Sequence, residues 1–229
     1  MGKQKQQPTQ PKPKTGLTLS KVLPLTDNQK KTFEEYKKEQ HLILHGTAGT
    51  GKTFISMYLA LEQILHKGDF KRLIIVRSAV PTRDIGFLPG SLKEKTRTYE
   101  LPYHAICGDL FGRDDAYDIL KTKGICDMIT TSFIRGMTLS DCIILVDEMQ
   151  NMSWHELDSV MTRVGRNAKI IFCGDYRQSD LEKKERNGLL QFLEILKKID
   201  LFSMVEFNSE DIVRSGIVKQ YIIEKEKLV

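Results

Sequence analysis

The chain alternates between short, unbroken apolar runs and longer stretches in which apolar residues recur at three- and four-residue spacing. His41-Leu42-Ile43-Leu44-His45, Leu73-Ile74-Ile75-Val76, Asp127 to Thr131, Cys142 to Val146 and Lys169 to Cys173 are runs of the first kind. They lack the polar alternation of a sheet with one wet face, so they are expected to be parallel strands covered on both sides. Between and around them, residues 27–39, Phe54 to His66, Ala116 to Lys121 and His155 to Val164 carry helical spacing. Thr26-Asp27 offers an N-cap to the first of these helices and Gly68 a C-cap to the second. A short strand, Ser203 to Phe207, stands between two further helical stretches, Gln191 to Lys198 and Ile217 to Lys227. Strands alternating with helices in this way predict an α/β fold, a doubly wound and mostly parallel sheet flanked by helices.

Length and composition fit one such core. The 229 residues, 40% hydrophobic and 28% charged, suffice for a single sizeable α/β unit and are too few for two. No run approaches the roughly 18 uncharged apolar residues of a membrane span, and the start has no apolar block like that of a secretory signal, so a cytoplasmic protein without a membrane partner is expected. Residues 1–16 are rich in Gln, Lys and Pro and hold no aromatic, Val or Ile residue. Such a stretch cannot bury enough apolar surface to offset its ordering entropy, which predicts a disordered basic tail over 1–20 ahead of a folded domain over 21–229. The four cysteines, Cys107, Cys126, Cys142 and Cys173, have no C-x-x-C spacing, and three lie in or beside apolar runs. They read as small buried hydrophobes.

The net charge of +5 changes the picture less than its location does. Lys3, Lys5, Lys12, Lys14 and Lys21 all precede the first acid, Asp27, so residues 1–26 carry +5 and the rest sums to zero. Net charge therefore says nothing about what the folded body binds. Locally, Lys71, Arg72, Arg77, Arg83, Lys93, Lys95 and Arg97 face only Asp84, Glu94 and Glu100. That stretch is either a phosphate-contacting patch or ordinary solvated surface.

The candidate chemistry lies where strands end. Gly46-Thr47-Ala48-Gly49-Thr50-Gly51-Lys52-Thr53 matches G-x-x-x-x-G-K-[ST] between a predicted strand and a predicted helix. Glycines let backbone N–H groups wrap a phosphate chain, Lys52 brings a cation to the β- and γ-phosphates, Thr53 offers a hydroxyl to Mg²⁺, and the helix points its positive end at the anion. Cys142 to Val146 runs into Asp147 and Glu148. At the end of a strand beside that of the phosphate loop, Asp147 is expected in the Mg²⁺ shell, and Glu148 one residue on is placed to polarise the attacking water. This pair favours hydrolysis of ATP over transfer of its phosphate to a second substrate. A third buried strand opens into Gly174-Asp175-Tyr176-Arg177-Gln178, where Gln178 is expected to reach the γ-phosphate or the catalytic water.

A phosphate loop, an Asp-Glu strand end and a G-D-x-x-Q segment in this order resemble the superfamily 1 helicase core. Arg83-Asp84-Ile85-Gly86-Phe87-Leu88-Pro89-Gly90, Ile134-Arg135-Gly136-Met137-Thr138-Leu139, Val146-Asp147-Glu148-Met149-Gln150-Asn151 and Asp211-Ile212-Val213-Arg214-Ser215 look like successive motifs of the PhoH family, over about residues 24–220. Gly174 to Leu181 and the short ending look more like phage-borne members. The resemblance implies a RecA-like ATPase linked to RNA or single-stranded DNA, using ATP and Mg²⁺. Met137 departs from it, standing where members often have a second arginine, so that any role of that guanidinium is either lost or moved to Arg135; no PIN nuclease domain is attached. Gln29 matches a glutamine that in related helicases reads the adenine edge, and a solvated helix-start residue is the other reading. Superfamily 1 motors complete the ATP site with an arginine from a second RecA-like domain. About fifty residues follow Gln178, too few for such a domain. The expectation is therefore a homo-oligomer, a hexameric ring, with Arg214 or Arg135 presented to the γ-phosphate by a neighbour. The alternative function is a slow ATP-dependent assembly or regulatory switch that separates no strands.

Overall fold

In the computed structural model, which describes residues 15–78, 92–175 and 183–227, six parallel strands form one sheet. They are β1 (His41–Gly46), β2 (Arg72–Arg77), β3 (Cys126–Thr130), β4 (Cys142–Val146), β5 (Ala168–Gly174) and β6 (Phe202–Phe207). Seven α-helices accompany them: α1 (Asp27–Lys37), α2 (Lys52–Glu62), α3 (Leu92–Phe111), α4 (Ala116–Thr122), α5 (Trp154–Met161), α6 (Lys183–Leu196) and α7 (Gly216–Glu226). The spatial order is β3-β2-β4-β5-β1-β6.

Period-two geometry splits each apolar run between two cores, which is why the strands show no polar alternation. Leu42, Leu44, Leu73, Ile75, Ile143, Leu145, Ile171 and Cys173 face α1 to α4, together with Ile55, Met57, Tyr103 and Cys107. Ile43, Ile74, Val76, Ile144, Val146, Ile170 and Phe172 face α5 and α6 through Leu157, Val160, Leu189 and Phe192. The four cysteines are buried and free.

Two local devices match the sequence closely. The Thr26 side chain accepts the Gln29 N–H and caps α1, and α2 continues through a π-helical turn, Gln63–Lys67, that stops at Gly68 with φ 74°. Ser153 and Glu156 form a reciprocal capping box at the start of α5.

Three features depart from the sequence reading. The strand that ends in Asp147 is not beside the phosphate-loop strand: β5 lies between β4 and β1. Twenty-residue α3, with Pro102 inside it, fills a stretch read only for its charge. Packing also begins within the segment assigned to the tail, because Leu17 and Leu19 lie against the first core and Ser20 N–H donates to the Leu110 carbonyl. Residues 1–14 and the motif at 83–90 lie outside the described residues. No helix among the described residues is long and apolar enough to cross a membrane.

Candidate functional site

Parallel strands deliver their C-terminal ends, and the loops that follow, to one edge of the sheet. At that edge β1 opens into the loop Gly46 to Gly51 and then α2. Gly46, with φ 112°, lies so close to β6 that a Cβ there would stand 2.0 Å from the Phe207 carbonyl oxygen. Only glycine allows this approach, and Thr47 N–H then donates to the same carbonyl at 3.0 Å, which pins the loop to β6. A cleft of about 660 Å³ lies over the loop. Its lining includes Gln29, Lys52, Thr53, Asp147, Glu148 and Arg214.

Lys52 is buried, and its ammonium donates to the carbonyls of Gly46 and Thr47 at 2.8 and 2.7 Å and to Thr50 Oγ1 at 3.3 Å. Burial pulls its pKa down, while Cys173, Asp175, Glu148 and Asp147 pull it back up. Thr53 Oγ1 donates to Asp147 Oδ1 at 2.7 Å. Thr53 stands in the first turn of α2, straight after the loop, and still meets Asp147 just past the end of β4, although β5 lies between β4 and β1.

Each oxygen of Asp147 has its own partner, because Oδ2 accepts the Tyr103 hydroxyl at 2.9 Å. Arg77, at the end of β2, stacks over the Tyr99 ring at 5.9 Å. Burial lowers its pKa, but Tyr103, Asp147 and Glu148 outweigh that and hold the guanidinium charged.

Glu148 has φ 53°, a left-handed conformation that costs a residue with a side chain about 1–2 kcal/mol. Gln150 Nε2 donates to the Glu148 carboxylate, and Gln150 Oε1 accepts the Asp175 N–H at 3.0 Å. Gln150 thereby ties the acid at the end of β4 to the loop that leaves β5. Gly174 makes room for this: a Cβ there would meet Gln150 Oε1 at 2.4 Å and Met149 Cγ at 2.6 Å. Burial raises the Glu148 pKa and Asp147 adds to the rise, while Arg77, Gln150 and Lys52 oppose it.

Gln29 is buried, which removes the reading of it as a solvated helix-start residue. Its Nε2 donates to the Thr50 carbonyl at 3.0 Å and its Oε1 accepts the Leu25 N–H at 2.7 Å, so it braces the loop from beneath the cleft. Arg214 follows β6, the strand beside β1, and its Cγ lies 3.0 Å from where a Gly49 Cβ would be. Val213 N–H donates to the Gly49 carbonyl at 3.1 Å. Arg214 therefore packs against the loop of its own chain.

Arg135 is exposed on the turn after β3, at the far edge of the sheet. It does not line the cleft over the phosphate loop. Gln178 lies outside the described residues. Tyr103 escaped the sequence reading, and Gln150 appeared there only inside a motif. The signal for Gln150 was its fixed position two residues after Glu148, whereas nothing local marks Tyr103.

The residues present suit a magnesium nucleotide. A buried ammonium and glycine-shaped backbone would meet the phosphates, and a hydroxyl beside one carboxylate is the sparse oxygen set that would suit Mg²⁺ alongside phosphate oxygens and water. The Thr47 hydroxyl, in the same loop, is buried with no hydrogen-bond partner among the described residues.

Comparison with known proteins places these features in a family context. The family described as PhoH-like protein matches residues 21–225. A PhoH-like protein of Bacillus subtilis (strain 168) is 35% identical over 198 residues, which cover 86% of this chain and 61% of the relative. Protein PhoH of Escherichia coli (strain K12) is 30% identical over 203 residues, 88% of this chain and 57% of that protein. The chain thus spans about three-fifths of the length of these relatives. Among solved structures, the large terminase from a thermophilic bacteriophage aligns with 87% of this chain and 50% of its own, at a TM-score of 0.50 and 14% identity, a likeness of fold.

Proposed function

The chain belongs to the PhoH-like protein family, and from that premise we propose that it hydrolyses ATP with Mg²⁺ in the cleft over Gly46 to Thr53, and that single-stranded RNA or DNA stimulates the hydrolysis. The observation that carries this reading is the 2.7 Å hydrogen bond from Thr53 to Asp147 with Lys52 and Glu148 in the same cleft. These are the groups an in-line attack of water on a γ-phosphate needs, gathered from the start of α2 and the end of β4.

In this reading the loop amides and Lys52 hold the phosphates, and Lys52 leaves the Gly46 and Thr47 carbonyls to do so. Thr53 and Asp147 would hold the metal, which when bound neutralises charge on the phosphate oxygens. Glu148 accepts the proton of the attacking water, and the rise in its pKa from burial makes it a stronger base than an ordinary glutamate. Gln29 keeps one amide hydrogen and one lone pair beyond its two bonds, enough to meet the edge of an adenine. Arg214 senses the nucleotide from within the same chain. Arg135 is left as the arginine a neighbouring copy presents, in a closed ring for which six copies is the favoured number. The basic residues that follow β2, within the stretch from Arg77 to Arg97, are the part we assign to the nucleic-acid backbone.

Release of inorganic phosphate from ATP, measured with and without defined single strands of RNA and DNA, tests the reading. Stimulation that weakens with added salt supports it. Turnover indifferent to both strands, with no salt-dependent binding, replaces it with the slow assembly switch, and transfer of phosphate to an acceptor replaces it with a kinase.

A further inference from the structure

Resting on the ATPase reading above, we propose that Tyr103 is a positioning residue of the magnesium site, its hydroxyl holding the Asp147 carboxylate so that only Oδ1 is offered toward Thr53.

The two oxygens of Asp147 are divided between partners on different helices, Thr53 of α2 at 2.7 Å and Tyr103 of α3 at 2.9 Å. Tyr103 is wholly buried and Asp147 is 4% exposed, so the bond between them is shielded from water. A carboxylate with both oxygens free can turn about its last bond and chelate a cation. One whose Oδ2 is held presents a single acceptor in a fixed direction. That matters for Mg²⁺ in particular, which demands near-ideal octahedral geometry and keeps several of its waters. Arg77 faces the same hydroxyl and both acids, which keeps charge balanced around Asp147. The proposal also gives α3 a purpose beyond covering the sheet. Pro102 and Ile106 line the cleft directly, and Tyr103 between them turns inward to the carboxylate.

Tyr103→Phe keeps the ring packing and deletes only the hydroxyl. Binding of a fluorescent ADP analogue to the full chain is measured without metal, and Mn²⁺ binding to the protein–ADP complex is measured by electron paramagnetic resonance. The expected result is metal-free nucleotide affinity unchanged within about twofold and Mn²⁺ affinity about tenfold or more weaker, the scale of one hydrogen bond to a charged group. The same substitution in an Asp147→Asn background is expected to change Mn²⁺ affinity no further, because the hydroxyl acts only through that carboxylate. Unchanged Mn²⁺ affinity in Tyr103→Phe overturns the proposal, as does an equal loss in both backgrounds, which assigns the hydroxyl to packing. Nucleotide binding by the unsubstituted chain that ignores Mn²⁺ overturns the ATPase reading itself, and this inference with it.

Discussion

Replacing Gln150 by leucine removes the donor to Glu148 and the acceptor for the Asp175 N–H while keeping a side chain of similar bulk. The two losses act on different quantities. A left-handed residue such as Glu148 persists where its surroundings over-determine it, and here the Gln150 bond is the contact that fixes its carboxylate. A hydrogen bond to a charged group is worth about 1.5–3 kcal/mol. If the full value is expressed in the transition state, turnover falls roughly 10- to 150-fold. Loss of the bond to the Asp175 N–H costs about 0.5–1.5 kcal/mol of stability, which for a chain of this size lowers the melting temperature by roughly 1–6 °C. Nucleotide affinity should stay near its original value, since neither lost bond touches the phosphate loop. Gly174→Ala tests the same contact from the other side, because its Cβ would stand 2.4 Å from Gln150 Oε1 and must displace it. Phosphate release, binding of a labelled nucleotide and thermal melting are measured on all three proteins. Turnover within twofold of the original in both variants, with melting lowered as expected, refutes the argument: Gln150 then supports the fold and not the base.

Two further outcomes follow from other parts of the molecule. Arg135→Ala and Lys52→Ala proteins should each be inactive alone, yet a mixture should recover phosphate release, because a mixed ring pairs an intact loop in one copy with an intact Arg135 in another; a mixture as inactive as its parts removes Arg135 from the neighbour's site. Lys169 donates to the Tyr36 carbonyl at 2.8 Å and lies 3.7 Å from that ring's centre, and burial lowers its pKa to about 8 from 10.5. The unfolded chain then binds more protons than the folded one between about pH 8 and 10.5, so this residue makes stability rise with pH across that window. Denaturant unfolding at about pH 8 and 10 should show the rise, and Lys169→Met should flatten it.

The elements that sequence reveals are those whose burial is uniform. Leu42 to Leu44, Leu73 to Val76 and Ile143 to Val146 are covered on both faces, so an unbroken apolar run is itself the signature of a central parallel strand. α3 is less visible because Pro102 interrupts it and its first turns are charged, although Tyr103, Cys107, Leu110 and Phe111 hold helical spacing and are all buried. Strand order is not legible from local pattern. The expectation was that β4 lies beside β1, whereas β5 stands between them and Thr53, in the first turn of α2, still meets Asp147. The same gap explains Arg214. Its neighbours in sequence say nothing of the fact that β6 lies beside β1, and only that adjacency puts the arginine over its own loop. Motif spacing located Lys52, Thr53, Asp147 and Glu148, because the backbone at the end of each strand fixes where the next residues point. It could not locate Tyr103, which meets Asp147 from 44 residues away.

The central claim is hydrolysis of ATP with Glu148 as base, and steady-state phosphate release from magnesium ATP by the original chain and by Glu148→Gln, with Lys52→Ala as the blank, tests it most directly. The account predicts release by the original chain and a loss in Glu148→Gln of about 10²-fold or more, the scale of a general base, with ATP still bound. Glu148→Gln turning over at the original rate would contradict it.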